Sequence, residues 1–425
     1  MTVTHEAAPG RPRLVVAPDG VQRLTAAPGP NYASHLATFG SRPVPAGRSG
    51  FGPALLAQLR ASGLEGRGGA AFPAWRKIAA VPAAERFRIH SVFVVGNAAE
   101  GEPLSSKDEV LLRIAPHLVI DGLLTVAGAV EASGIILYGP ASVLGHAQQA
   151  LRERTDAGSI ELRESADTFV AGEASAVVNA LGGGAAVPQD RTVRLTSTGL
   201  GGRPTILHNV ETLAHIALVA RFGAAWFRSL GTPDDPGTRL VTVSGDLSFR
   251  RPPPSSRVLE VGGGTPVEQA LSYAGVAPAS LDAVLVGGFH GAWLPVGAFS
   301  TPLSRAGLAP YGASPGAGVL LGLEAGRCPL TVASRIGSYL AAQTAGQCGP
   351  CVNGLPAMAS VLARLAAGEP DSSLPAVLER LTALVAGRGS CHHPDGTARF
   401  VLSTLSVFAT DVAAHLSGRC RKVHS

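Results

Sequence analysis

Two short stretches carry residue types able to hold a phosphate and a sugar. Gly63–Lys77 (GLEGRGGAAFPAWRK) sets Gly66, Arg67, Gly68 and Gly69 before an Ala-rich run, with Phe72, Pro73 and Lys77 close behind. Glycines let backbone N–H groups approach a phosphate, Pro marks a helix start, and a helix N-terminus adds partial positive charge. Gly96–Asp108 (GNAAEGEPLSSKD) follows an apolar run at Ser91–Val95 and delivers Asn97, Glu100 and Glu102 in quick succession. Anion-binding donors beside amide and carboxylate acceptors suit the phosphate and the ribityl or ribose hydroxyls of a flavin or nucleotide. The chain has only three lysines, and two of them, Lys77 and Lys107, fall inside these stretches. That placement favours phosphate contact.

A second chemistry lies in AGQCGPCVNG (Ala345–Gly354) and GSCHHPDG (Gly389–Gly396). Cys348 and Cys351, at C-x-x-C spacing, can place two thiolates on one metal or cluster, and Cys391 can join them where bundle loops converge. The spacing alone fits zinc, an iron–sulfur cluster or a dithiol redox pair. A thioredoxin-type pair normally follows a strand, whereas helical patterns surround this one. Cys328 and Cys420, remote in sequence, read as ordinary core or surface cysteines.

The elements that must position these groups can be read from period and composition. A length of 425 residues suggests about three domains. With 46% hydrophobic and 15% charged residues the chain is globular. No transmembrane helix is expected, since apolar runs are interrupted well before ~18 residues. The N-terminus shows no signal-type apolar core, which gives a cytoplasmic expectation. Net charge is +5, but the arginines are scattered and aromatics are 5%, so no nucleic-acid partner is expected. Residues 1–50 read as an extended N-terminal arm. Over 51–230, strand-like runs (Val92–Val95, Ile135–Tyr138) alternate with helical ones (Pro53–Leu59, Leu118–Ala132, Val143–Glu153), giving an α/β layer with a mostly parallel sheet. After the GTPDDPGT linker (Gly231–Thr238), short strand-like pieces with one helix (Val267–Ala274) read as a compact α+β domain over 238–325. Residues 326–425 turn helical, with stripes at Leu355–Leu365, Leu374–Val385 and Leu402–Leu416 that form a bundle.

The chain resembles the family of flavin- and NADH-binding F-type (51 kDa) subunits of respiratory complex I and related NAD-reducing hydrogenases and formate dehydrogenases. The resemblance rests on GRGGAAFPAWRK (Gly66–Lys77), NAAEGEP (Asn97–Pro103), GEASA (Gly172–Ala176), GRPTILHNVET (Gly202–Thr212), AGQCGPC and Cys391, in the family's order over about residues 50 to 418. It implies a Rossmann-like FMN-binding domain, a small β-grasp (SLBB-like) domain and a helical bundle with an iron–sulfur cluster. It extends the candidate cofactor residues to Gly172, Glu173, Asn209 and Thr212, and makes Cys348, Cys351 and Cys391 the metal ligands. The implied activity is that of an NADH dehydrogenase (diaphorase) passing hydride from NADH to FMN, then single electrons to the cluster and a ferredoxin-like or other partner subunit.

Departures from the family pattern are specific. Ala99 stands where the family has Asp, Trp75 where the loop has Gly, and Ala174 where it has a second Glu. Arg191 and Arg194 take the positions of a Lys and an aromatic, and Ala345 takes that of the first cluster Cys. With three thiols left, a 3Fe–4S cluster, a 4Fe–4S cluster with His392 or His393 as substitute ligand, and zinc all stay open. The competing expectation is a catalytically degenerate homologue that acts as a docking or assembly subunit.

Overall fold

The computed structural model describes residues 12–44, 51–81, 92–190, 193–245 and 256–420. Arg191 lies outside them. Ten strands occur there: β1 (Arg13–Val15), β2 (Phe93–Asn97), β3 (Gly134–Gly139), β4 (Ile160–Glu164), β5 (Thr205–Asn209), β6 (Thr238–Ser244), β7 (Arg257–Gly262), β8 (Leu281–Val286), β9 (Ala292–Pro295) and β10 (Val319–Glu324). They build two sheets.

The first sheet has the order β4-β3-β2-β5, and every neighbouring pair is parallel. Parallel strands need long crossovers, and here helices supply them, among them Pro116–Val130, Ala141–Arg152 and Ala174–Leu181. Side-chain alternation follows the strand period of two. Val94, Ile135 and Ile206 join the large core beneath Pro116–Val130 and Val210–Arg228, while Val95, Ile136 and Leu207 join a smaller cluster with Val177. Strands β2 and β5 pair in register so that Asn97 lies opposite Asn209 at their carboxyl ends. In an open parallel sheet that edge, where strand order switches direction, is where ligands bind.

The second sheet is mixed, with the order β1-β7-β6-β10-β8-β9. One face packs on the Val267–Tyr273 helix through Val284 and Val286. The other packs on the C-terminal helices through Ala283, Leu285, Trp293 and Leu321. Within residues 1–50, read from sequence as an extended arm, the described part holds a strand and a helix (Tyr32–Phe39). Strand β1 pairs parallel with β7, and the buried Glu260 of β7 accepts the backbone N–H groups of Arg23, Leu24 and Thr25 and the Thr238 hydroxyl.

Helices Pro329–Ala342, Leu355–Ala366, Leu374–Val385, His393–Val407 and Ala409–Leu416 form the bundle. Leu355, Met358, Leu362, Leu365, Leu374 and Leu378 are buried as the stripes require, but Leu384 and Leu402 face solvent at 50% and 44% exposure. Helix Val210–Arg228 is long and apolar enough to cross a membrane, yet two thirds of it is buried against its neighbours. Its apolarity serves the core of the first domain.

Candidate functional site

The glycine loop is closed by its own backbone. The Gly66 N–H donates to Phe72 O at 2.9 Å and the Ala74 N–H to Leu64 O at 3.0 Å. The Arg67 N–H donates to Thr212 Oγ1 at 2.8 Å, tying the loop to the first turn of Val210–Arg228. A Cβ on Gly68 would sit 3.2 Å from Cβ of Asn209, so the loop backbone lies directly over the carboxyl end of β5. Asn209 itself caps the following helix, accepting from the Glu211 N–H at 3.0 Å.

Beside the loop, Gly96–Asp108 and Phe169–Glu173 press together. Asn97 Nδ2 donates to Gly172 O at 2.9 Å, and Asn97 Oδ1 accepts from the Ala99 N–H at 3.0 Å. A Cβ on Gly172 would lie 2.2 Å from Ala99 O, which no side chain can tolerate; only glycine allows this approach. Glu173 caps Ala174–Leu181, accepting from the N–H groups of Ser175 (2.8 Å) and Ala176 (3.1 Å). Glu102 fixes the neighbouring domain by accepting from the Phe289 N–H at 2.7 Å.

These segments surround a cavity of about 430 Å³. Gly68, Gly69, Asn97, Glu100, Glu102, Gly172, Glu173 and Asn209 line it, all expected from sequence. Five expected residues stand elsewhere. Gly66 and Arg67 line a smaller adjoining cavity of about 90 Å³. The buried Arg67 guanidinium donates to Thr238 O at 3.0 Å; burial, with Arg239 nearby, lowers its pKa to about 10 despite Glu211 and Asp235. Lys77 Nζ donates to Leu207 O at 2.8 Å, and burial lowers its pKa. Thr212 is wholly buried under the loop, and Phe72 is 42% exposed outside the cavity. Trp75 does not confront a ligand on the loop: its ring packs against the core, with Arg60 at 5.4 Å and Arg76 at 5.5 Å from its centroid.

The lysine that does reach the cavity is Lys107, buried at 2% exposure. Its Nζ meets Asp108 Oδ1 at 2.6 Å, Glu211 Oε2 at 3.0 Å and Asn209 Oδ1 at 3.3 Å. Burial would lower its pKa, but Asp108, Glu211 and Glu100 outweigh that and raise it, so the ammonium stays charged. Glu100 accepts from the Ser105 hydroxyl and from the Asp108 N–H. Burial and the Asp108 charge push its pKa up to about 8. Backbone donors, a fixed cation and hydrogen-bonding acceptors around one cleft fit the phosphate and ribityl chain of FMN.

The Gly389–Gly396 loop, which carries Cys391, forms another wall of the same cavity. Cys391, His392 and His393 line it, together with Phe169, His290 and Arg399, which carry no signal in the sequence motifs. Cys351 sits in a π-turn (Pro350–Gly354) and is buried, while Cys348 and Cys391 are half-buried. The three thiols are close enough to perturb one another. Burial, then the charges of Cys351, Glu173 and Cys348, push Cys391 up to about 11. The trio as a whole is nevertheless more open than the ligand set of a single ion: among the described residues only another trio brings all its ligand atoms within 4.8 Å of one another. A multi-iron cluster therefore fits this set better than zinc. Of the two histidines that could supply a fourth ligand, His393 has both ring nitrogens engaged. His393 uses Nδ1 toward His290 (2.8 Å) and Nε2 toward Leu340 O (2.9 Å). The His392 side chain is fully exposed and turned to Asp395.

The Nuo51 FMN-binding domain matches residues 59–218, and the NADH-ubiquinone oxidoreductase-F iron–sulfur binding region matches residues 331–415. The second F-type subunit of the NADH-quinone oxidoreductase of Rhizobium meliloti is 28% identical over 384 residues, 86% of this chain and 89% of that protein. The F-type subunit of the Salmonella typhimurium NADH-quinone oxidoreductase is 27% identical over 399 residues, 87% and 86% of the two chains. An NAD+-reducing NiFe hydrogenase superposes with a TM-score of 0.77 at 28% identity, over 86% of this chain and 63% of that one. The chain thus spans less than two thirds of the hydrogenase chain it matches. Motif order, parallel sheet, cavity and cysteine loops agree with these matches, and the chain is a divergent member of the family of flavin- and NADH-binding F-type subunits of respiratory complex I and related NAD-reducing hydrogenases.

Proposed function

We propose that this chain is an NADH-oxidising electron-transfer subunit that holds FMN and an iron–sulfur cluster. One observation carries the reading: a single cavity is walled on one side by Gly68, Asn97 and Glu100 and on another by Cys391. Bound FMN would supply two-electron hydride acceptance and one-electron release, and an iron–sulfur cluster one-electron acceptance. The chain's own residues orient and insulate. Gly68, Gly69 and Lys107 offer donors and charge for the phosphate, and Asn97 and Glu100 offer acceptors and a carboxyl for the ribityl side. Glu102, anchored to the Phe289 N–H, fixes the side of the cleft shared with the mixed-sheet domain, where the nicotinamide enters. Cys348, Cys351 and Cys391 would hold the cluster, and Ala345 offers no fourth thiolate. No protein acid or base is needed for the hydride step.

The same reading takes residues 51–230 as the FMN/NADH domain, 238–325 as a β-grasp (SLBB-like) domain and 326–425 as the cluster bundle. Electrons leave to a ferredoxin-like or other redox subunit, in the cytoplasm where NADH is available. Anaerobic reconstitution with FMN, iron and sulfide, followed by NADH-dependent ferricyanide reduction, tests it. Saturable turnover is expected, and Cys351→Ser should keep it while losing bound iron. Failure to take up FMN would overturn the reading.

A further inference from the structure

A second thiol–imidazole group lies in the bundle away from the cavity, and it joins residues that are far apart in sequence. Cys328, His415 and Cys420 bring Sγ, a ring nitrogen and Sγ to within 4.8 Å of one another. Cys328 immediately precedes the Pro329–Ala342 helix and is 1% exposed. His415 lies in the last turn of the Ala409–Leu416 helix at 2% exposure. Cys420, half-buried, packs on the same core.

Local geometry accounts for the convergence. After Leu416 the chain reverses: the Gly418 N–H donates to His415 O at 2.9 Å and the Arg419 N–H to Ala414 O at 3.0 Å. Gly418 has φ +65°, the left-handed conformation such a helix cap demands. The reversal returns Cys420 toward the His415 ring. His415 Nδ1 lies 3.1 Å from Leu365 O, so it carries the proton and donates to that carbonyl. Nε2 is then the lone-pair nitrogen, and it faces Cys328 Sγ at 3.5 Å. A ligating imidazole characteristically has its other nitrogen held by a carbonyl in this way.

The distance is informative. Zinc bonds of about 2.3 Å to sulfur and about 2.0 Å to nitrogen, at a tetrahedral angle, separate the two ligand atoms by about 3.5 Å. The His-x4-Cys spacing of His415 and Cys420 also lies in the range of structural zinc sites. We propose that Cys328, His415 and Cys420 form a Cys2His site for a structural zinc ion, with a fourth ligand from outside the trio. The ion would pin the C-terminal turn to the start of the first bundle helix and is separate from the cluster cysteines.

The test uses the full chain carrying Cys348→Ser and Cys351→Ser, so that the cluster set does not contribute, purified with zinc and dialysed against metal-free buffer. About one zinc per chain is expected by elemental analysis. Cobalt exchange should give sulfur-to-cobalt charge-transfer absorption. Cys420→Ser, at a half-buried position near the chain end, and His415→Gln should each lower retained zinc at least tenfold while circular dichroism stays unchanged. Equal zinc in all variants, or none in the parent, would overturn the assignment. So would a Cys328–Cys420 disulfide in the parent isolated without reductant.

Discussion

At the scale of single residues, the site is a set of buried charges that balance one another without a ligand. Lys107 is surrounded by Asp108, Glu211 and Glu100, and with several carboxyls about one ammonium, one carboxyl holds a proton. Glu100 is that group. Its pKa is pushed up to about 8, whereas an unfolded Glu ionises near about 4.3. Between those values the folded chain binds a proton that the unfolded chain lacks. Stability from this group is therefore present at low pH and lost as pH rises through about 8. Asp108, also raised by burial, acts in the same direction. Thermal melts of the cofactor-free protein across this window should show a falling Tm, and Glu100→Gln should flatten the slope. Equal slopes would contradict the assignment. Sequence showed the residue types here but not their division of labour. Lys77 and Lys107 look alike in composition, and only packing turns one toward Leu207 O and the other into the cavity.

At the scale of elements, several residues legible as cofactor ligands are caps that hold the cavity walls in place. Glu173 and Asn209 each satisfy N-terminal N–H groups of a helix that begins at the cavity edge. Glu173→Ala should cost about 1 kcal/mol of stability in urea denaturation, the usual loss for an N-cap. A change below the error of the fit would mean the cap is not stabilising. The motifs were readable because the glycine loop, the N-A-x-E-x-E run and the C-x-x-C pair are local in sequence. The Thr212 contact to the loop was not readable in kind, since it joins Arg67 to a helix 145 positions away. His290, Phe169 and Arg399 carry no local signature and enter the cavity only because three chain segments meet there. The approach of Cys328 to Cys420 is illegible in the sequence for the same reason: 92 positions separate them, and a glycine cap closes the gap.

At the scale of the whole molecule, the architecture legible in advance was the parallel sheet and the bundle, announced by hydrophobic period, and a small α+β module set off by the GTPDDPGT linker. The N-terminal segment was not, because three strand residues (Arg13–Val15) leave no period to read. It is held by long-range contacts, above all Glu260, which takes three backbone N–H groups and the hydroxyls of Thr25 and Thr238. Glu260→Ala should loosen that segment, seen as faster limited proteolysis before Asn31 with the rest of the chain intact. Unchanged cleavage would mean that β1 pairing alone anchors it. Because this segment also places Arg23 over Trp226 (3.8 Å) at the end of the long Val210–Arg228 helix, it links the two sheets.

That placement of two sheets and a bundle around one cleft is what brings flavin-type and cysteine-type walls together, and it is the central claim. The most direct test is the visible absorption spectrum of anaerobically purified protein before and after NADH. Flavin bands over a broad iron–sulfur shoulder, both bleached by NADH, are expected. A colourless protein, or flavin bands that NADH leaves unchanged, would contradict the account.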